Sequence, residues 1–108
     1  MKRIIALLTM ALIATLISGC GDNVRVEITN DLGAWDIEEI YIDPSDSDEW
    51  TENRISNVLE PAEVATISVP AGIYDIMLVD EDGDSYTRWD VEIGSAGYNW
   101  SVELSDMD

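Results

Sequence analysis

Short segments in which apolar and polar residues alternate restrict the fold of this 108-residue chain more than any other feature. In the first of them Val24, Val26 and Ile28 alternate with polar residues, and a period of two is typical of a half-buried β-strand. Beyond residue 23 we find no amphipathic helical run, and a short helical turn around residues 49–58 is the one exception that we predict. The pattern therefore predicts an all-β fold.

Turn signals separate six such segments. The predicted strands are residues 24–30, 37–43, 63–69, 74–80, 85–93 and 98–104. The clearest turn is Asp82-Gly83, because both central residues of a two-residue hairpin loop need positive φ and Asp-Gly tolerates it. Six to seven short strands at this spacing predict a small antiparallel β-sandwich over residues 24–108, with a small barrel as the alternative.

The predicted core consists of the apolar residues on one face of each strand. They are Val26, Ile28, Ile40, Ile42, Ile67, Val69, Ile76, Leu78, Trp89, Val91, Trp100 and Val102. The chain has four Trp, four Tyr and no Phe. Aromatic residues at strand positions are interpreted as packing residues in preference to a ligand platform.

The N-terminal segment has the composition of a secretion signal. Lys2 and Arg3 give it a basic start, residues 4–17 are uncharged and mostly apolar, and small residues precede Cys20, the only cysteine. This run of 14 residues is shorter than the ~20 that a membrane-spanning helix needs. The sequence Ile17-Ser18-Gly19-Cys20 resembles the lipobox of bacterial lipoproteins.

That resemblance implies a signal peptide at residues 1–19 and a lipidated Cys20 that begins a short tether at residues 20–23. Two or three acyl chains on one cysteine anchor a protein to a membrane almost permanently. Gly21 in place of aspartate after the cysteine favours the outer membrane of a diderm bacterium, and a monoderm would use the plasma membrane. The alternative is an ordinary secretory peptide with a free thiol, which secreted domains normally avoid.

A second resemblance covers most of the remaining chain. The stretch Pro44-Ser45-Asp46-Ser47-Asp48-Glu49-Trp50, and a later Tyr74-Asp75 strand that leads into an acidic turn, resemble small secreted bacterial β-modules. No function is known for these modules. The resemblance therefore implies the fold and an extracytoplasmic setting, but no activity.

The composition excludes several classes of function. The chain has no His, which rules out Ser-His-Asp and Cys-His pairs and His-containing zinc sites. Its net charge is −18, and loss of Lys2 and Arg3 with the signal leaves −20 and no lysine. Such a surface repels nucleic acid and anionic lipid headgroups. We predict no catalytic residues, and the acidity can also be explained as an adaptation for solubility in salty water.

The acidic hairpin turn is the first candidate site. Asp80, Asp82 and Asp84 stand at alternate positions around a glycine, and Ca²⁺ binds six to eight oxygen atoms from closely spaced carboxylates and carbonyls. An EF-hand is excluded, because Ser85 and Val91 stand where that motif needs glycine and glutamate. An exposed acidic turn without a metal is the competing interpretation.

A second acidic loop contains Asp46 and Asp48. If strands 37–43 and 74–80 run towards the same end of the sandwich, this loop converges with the hairpin turn. The hypothesis is then a structural calcium site with five carboxylate ligands.

Two functions follow from these observations. The first is a membrane-anchored, non-catalytic envelope lipoprotein that binds calcium structurally at its acidic loops. The alternative is an acidic interaction module for a basic envelope partner or a cationic hydrolase. A carboxylate-pair glycosidase is disfavoured, because so small a domain has little room for a sugar cleft.

Overall fold

The computed structural model describes residues 23–108, so the predicted signal peptide and Cys20 lie outside the described residues. The described chain forms six strands and one 3₁₀ turn. In order they are β1 (Asn23–Asn30), β2 (Ile37–Pro44), β3 (Val64–Pro70), β4 (Gly72–Asp80), β5 (Ser85–Ile93), β6 (Tyr98–Val102) and a 3₁₀ turn at Leu104–Asp106. The predicted all-β fold is confirmed, and each predicted strand forms with small differences at its ends.

The strands form two three-stranded sheets, with orders β3-β1-β6 and β2-β4-β5. All neighbouring pairs are antiparallel except β1 and β6, which are parallel. The sequence predicted an antiparallel sandwich, and the β1–β6 pair is a parallel exception that it did not indicate. Periodicity in a sequence shows which face of a strand is buried, but the direction of its neighbour depends on long-range connections.

The core lies between the inner faces of the two sheets. Eleven of the twelve predicted core residues are buried, and the exception is Trp89, whose exposed fraction is 58%. The core also contains residues that the prediction did not include: Leu32, Ile37, Leu59, Tyr74, Tyr86 and Ile93.

A β-bulge explains why the prediction for Trp89 is wrong. Tyr74 pairs with Val91 but Ile76 pairs with Arg88, so β5 has one more residue than β4 over this interval. Asp90 takes a positive φ of 53°, and its amide donates to the Oδ1 atom of buried Asp75 at 2.7 Å. The extra residue reverses the alternation along β5 and places Trp89 on the outer face of its sheet.

The predicted helical turn around residues 49–58 is also wrong. This segment lies instead along the outer edge of β2, where the Arg54 amide donates to the Ile40 carbonyl at 2.7 Å. The Ile40 amide donates to Asn53 Oδ1 at 2.9 Å, and Leu59 exchanges two backbone hydrogen bonds with Ile37. A helix would leave these edge groups of β2 without partners from the segment.

The outer edge of β5 is covered in a similar way. The Asp108 amide donates to the Ser85 carbonyl at 2.9 Å, and the Asp108 carboxylate accepts from the Thr87 amide at 2.9 Å. Both outer edges of the β2-β4-β5 sheet therefore have hydrogen-bond partners from the chain itself.

Candidate functional site

The acidic turn between β4 and β5 is organised by Asp80, whose exposed fraction is 2%. Its Oδ1 atom accepts from the amides of Asp82 at 2.9 Å and Asp84 at 3.0 Å, and its Oδ2 atom accepts from the Tyr86 hydroxyl at 2.7 Å. Gly83 takes a positive φ of 85°, but Asp82 does not, and the Asp80 amide donates to the Asp84 carbonyl at 2.9 Å. The predicted two-residue Asp-Gly loop is therefore wrong, and the hairpin loop consists of residues 81–83 with glycine at its last position. Asp80 is thus an internal hydrogen-bond acceptor that holds the turn closed.

The Tyr86 hydroxyl is kept in its donor form. Burial raises the pKa of this phenol well above its usual value, and the hydrogen bond to Asp80 and the negative charge of Asp80 raise it further. The protonated phenol therefore stays available to Asp80 at alkaline pH.

The five predicted calcium ligands do not come together. Because β2 and β4 are antiparallel, Ile37 pairs with Asp80 at one end of the sheet and Pro44 pairs with Tyr74 at the other. The loop that follows Pro44 is consequently separated from the hairpin turn by the length of β2, about 23 Å.

The prediction that the two acidic loops converge is therefore wrong. Asp46 and Asp48 lie at one end of the sheet, and Asp80, Asp82 and Asp84 lie at the other. Within residues 23–108 no group of three or more Asp, Glu or Cys side chains is arranged to hold a metal ion. Calcium binding at the β4–β5 turn alone stays a prediction.

Three other buried polar residues were missed by the sequence analysis. Asp43 accepts from the Thr51 amide at 3.0 Å and from the Thr51 hydroxyl at 2.5 Å. Asp75 accepts from the Asp90 amide in the bulge of β5. The Asn30 side chain donates to the carbonyls of Trp35 and Leu59, both at 2.8 Å. Asn30 and Asp43 fix loops onto strand ends, and Asp75 fixes the bulge of β5 to β4. A polar residue at the end of a predicted strand, as at positions 30 and 43, was the available signal.

The three arginines of the described chain differ in their surroundings. The Arg88 guanidinium lies 4.2 Å from the centroid of the Trp100 ring and donates to the Tyr98 hydroxyl at 2.6 Å. Arg54 donates to the Ile42 carbonyl at 2.7 Å. The Arg25 side chain is 70% exposed, and it lies 3.9 Å from a carboxylate oxygen of Glu27. Arg54 and Arg88 thus make hydrogen bonds within the fold, whereas Arg25 is mostly exposed.

Three aromatic side chains form a row on the outer face of the β2-β4-β5 sheet. The ring centroids of Tyr41 and Trp50 are 6.3 Å apart, and those of Trp50 and Trp89 are 5.8 Å apart. The Tyr41 hydroxyl donates to Glu39 at 2.7 Å. We call Tyr41, Trp50 and Trp89 the aromatic row. Sequence analysis interpreted strand aromatics as packing residues, and the bulge that exposes Trp89 was not foreseen.

Comparison of the chain with protein-family models, with curated proteins and with solved structures finds no match. In the part of the chain from residue 23 onwards, no helix has the length and apolar character needed to cross a membrane.

Proposed function

We propose that this chain is a lipid-anchored, non-catalytic module of the bacterial cell envelope that presents an acidic β-sandwich to a basic protein partner. The observation that carries the proposal is the distribution of charge. Residues 21–108 contain 23 acidic side chains and three arginines, and Arg54 and Arg88 make hydrogen bonds within the fold. Little positive charge remains at the described surface to balance the carboxylates.

Surface charge of one sign speeds the association of a partner of opposite sign and repels wrong partners. The separation of the two acidic loops removes the argument for one five-ligand calcium site. The interaction module, which was the alternative in the sequence analysis, is therefore the better supported function. A basic envelope protein and a cationic hydrolase are both partners of this chemistry.

The anchor is tested by replacing Cys20 with alanine. Because lipid attachment needs the thiol, we expect Cys20→Ala to abolish incorporation of labelled palmitate. Ser18→Ala, which keeps a small residue in the lipobox, is the control and should remain lipidated. A Cys20→Ala protein that still takes up palmitate contradicts the anchor.

Binding to a basic partner is tested with the full chain in micelles of a non-ionic detergent. We expect a hexa-arginine peptide to bind at low ionic strength and to be released in molar NaCl, because screening shortens the reach of charge interactions to a few ångströms. A hexa-glutamate peptide is the control and should not bind. Absence of hexa-arginine binding at low salt would rule out a charge-driven interaction module.

A further inference from the structure

The aromatic row combines one exposed ring with two half-buried rings that pack beside it. Trp89 is 58% exposed, and its position on the sheet face is determined by the bulge that Asp75 and Asp90 form. Trp50 packs against one side of it with the ring planes tilted by 41°. A large aromatic side chain held in one orientation at the surface loses little conformational entropy when it binds a partner.

One carboxylate contacts the row, and others stand next to its tryptophans in the sequence. Glu39 accepts from the Tyr41 hydroxyl, Asp48 and Glu49 directly precede Trp50, and Asp90 directly follows Trp89. Within residues 23–108, Arg88 lies over the ring of Trp100, on the inner side of β5. The exposed Trp89 is thus followed in the sequence by an aspartate, and Arg88, the residue before it, lies over a different ring in the described chain.

We propose that the aromatic row is the docking site for the basic partner, and that an arginine or lysine side chain of the partner lies over Trp89 while its neighbouring basic groups pair with the adjoining carboxylates. This inference rests on the proposed function and names the contact surface. The quadrupole of an indole ring attracts a cation that lies over its face, and nearby carboxylates add to the attraction. The contact between Arg88 and Trp100 is an example of the same chemistry inside this protein.

The negative charge of the protein favours a basic polypeptide on the aromatic row over two other occupants. A second copy of the chain would bring another −20 charge against the same carboxylates, so self-association through this face is opposed. A neutral polysaccharide could stack on Trp89, but it would leave the carboxylates without an opposite charge. A basic polypeptide satisfies both the ring and the acidic neighbours.

The test measures the affinity of the hexa-arginine peptide for three variants of the full chain in non-ionic micelles. We expect Trp89→Leu to weaken binding about fivefold, since leucine keeps apolar bulk but has no π face. Trp89→Phe keeps a π face and should retain most of the affinity. Asp82→Asn, which removes one charge at the distant β4–β5 turn, controls for a general loss of charge and should bind nearly as the unmodified chain does.

The outcomes separate the two proposals. If the unmodified chain binds the peptide and all three variants bind equally well, the docking site is wrong while the charge-driven function stands. Failure of the unmodified chain to bind overturns both. If Trp89→Leu and Trp89→Phe weaken peptide binding by the same factor, the proposed contact between a cation and the ring face is wrong. Binding of neutral dextran that depends on Trp89 and not on salt assigns the row to polysaccharide and also overturns the proposal.

Discussion

Replacement of Trp100 by alanine is expected to lower the free energy of unfolding by about 4 kcal/mol. Trp100 is 2% exposed and belongs to the largest buried side chains of the core. Its indole N–H donates to Asp106 at 3.3 Å, and the Arg88 guanidinium lies over its ring. Truncation would leave a large cavity and remove the aromatic partner of a partly buried cation. Because domains of this size have total stabilities of about 5–15 kcal/mol, the variant should lose a large fraction of its stability.

Trp89→Ala provides a matched control, because it is the same chemical change at an exposed position. We expect its loss to stay within about 1 kcal/mol, since 58% of this residue is already in contact with water. Urea unfolding followed by circular dichroism measures both variants. Equal losses for the two tryptophans would contradict the placement of Trp100 inside the sandwich and Trp89 outside it.

Replacement of Asp80 by alanine is the second large effect, with an expected loss of about 3 kcal/mol. The substitution removes the acceptor of the Tyr86 hydroxyl, which is fully buried, and of two amides in the β4–β5 turn. A buried hydroxyl left without a partner incurs its full desolvation cost. The turn amides can bind water, so most of the loss comes from Tyr86.

Asp80→Asn distinguishes the role of Asp80 in the turn from a role as a calcium ligand. Asparagine keeps one acceptor oxygen for the two turn amides and places an NH₂ group against the Tyr86 hydroxyl, which can accept from it. We therefore expect Asp80→Asn to recover more than half of the stability that alanine loses. Urea unfolding of both variants should be measured in EDTA and in calcium chloride. The loss for Asp80→Ala should be the same in the two solutions. A loss confined to the calcium solution would instead identify Asp80 as a metal ligand.

Local pattern predicted the strands well because each strand of this domain has one buried face. Val26 and Ile28 of β1, and Ile76 and Leu78 of β4, alternate with polar or less buried residues, and burial of one face enforces that period. The positive φ of Gly83 was predicted for an equally local reason, because glycine has no Cβ to clash, although the loop has three residues and not two. Properties that depend on neighbouring residues in the chain were therefore accessible from sequence.

Properties that depend on strand order were not accessible. The calcium hypothesis required β2 and β4 to run in the same direction, and their antiparallel pairing places Asp46 and Asp82 at opposite ends. The exposure of Trp89 results from a one-residue mismatch with β4 and from the hydrogen bond that the Asp90 amide donates to Asp75, 15 positions earlier in the chain. Nothing within the β5 sequence itself specifies either contact.

The central position of β1 has a mechanical consequence if Cys20 is acylated. β1 begins at Asn23, so at most about 11 Å of chain separates it from the lipid. β1 is hydrogen-bonded to β3 along one side and to β6 along the other. Tension from the membrane along β1 would therefore load both rows of hydrogen bonds together, in shear. An edge strand that is peeled from one end would instead lose its hydrogen bonds one after another. If Cys20 carries the lipid, the module would hang from a strand that is hydrogen-bonded along both of its sides.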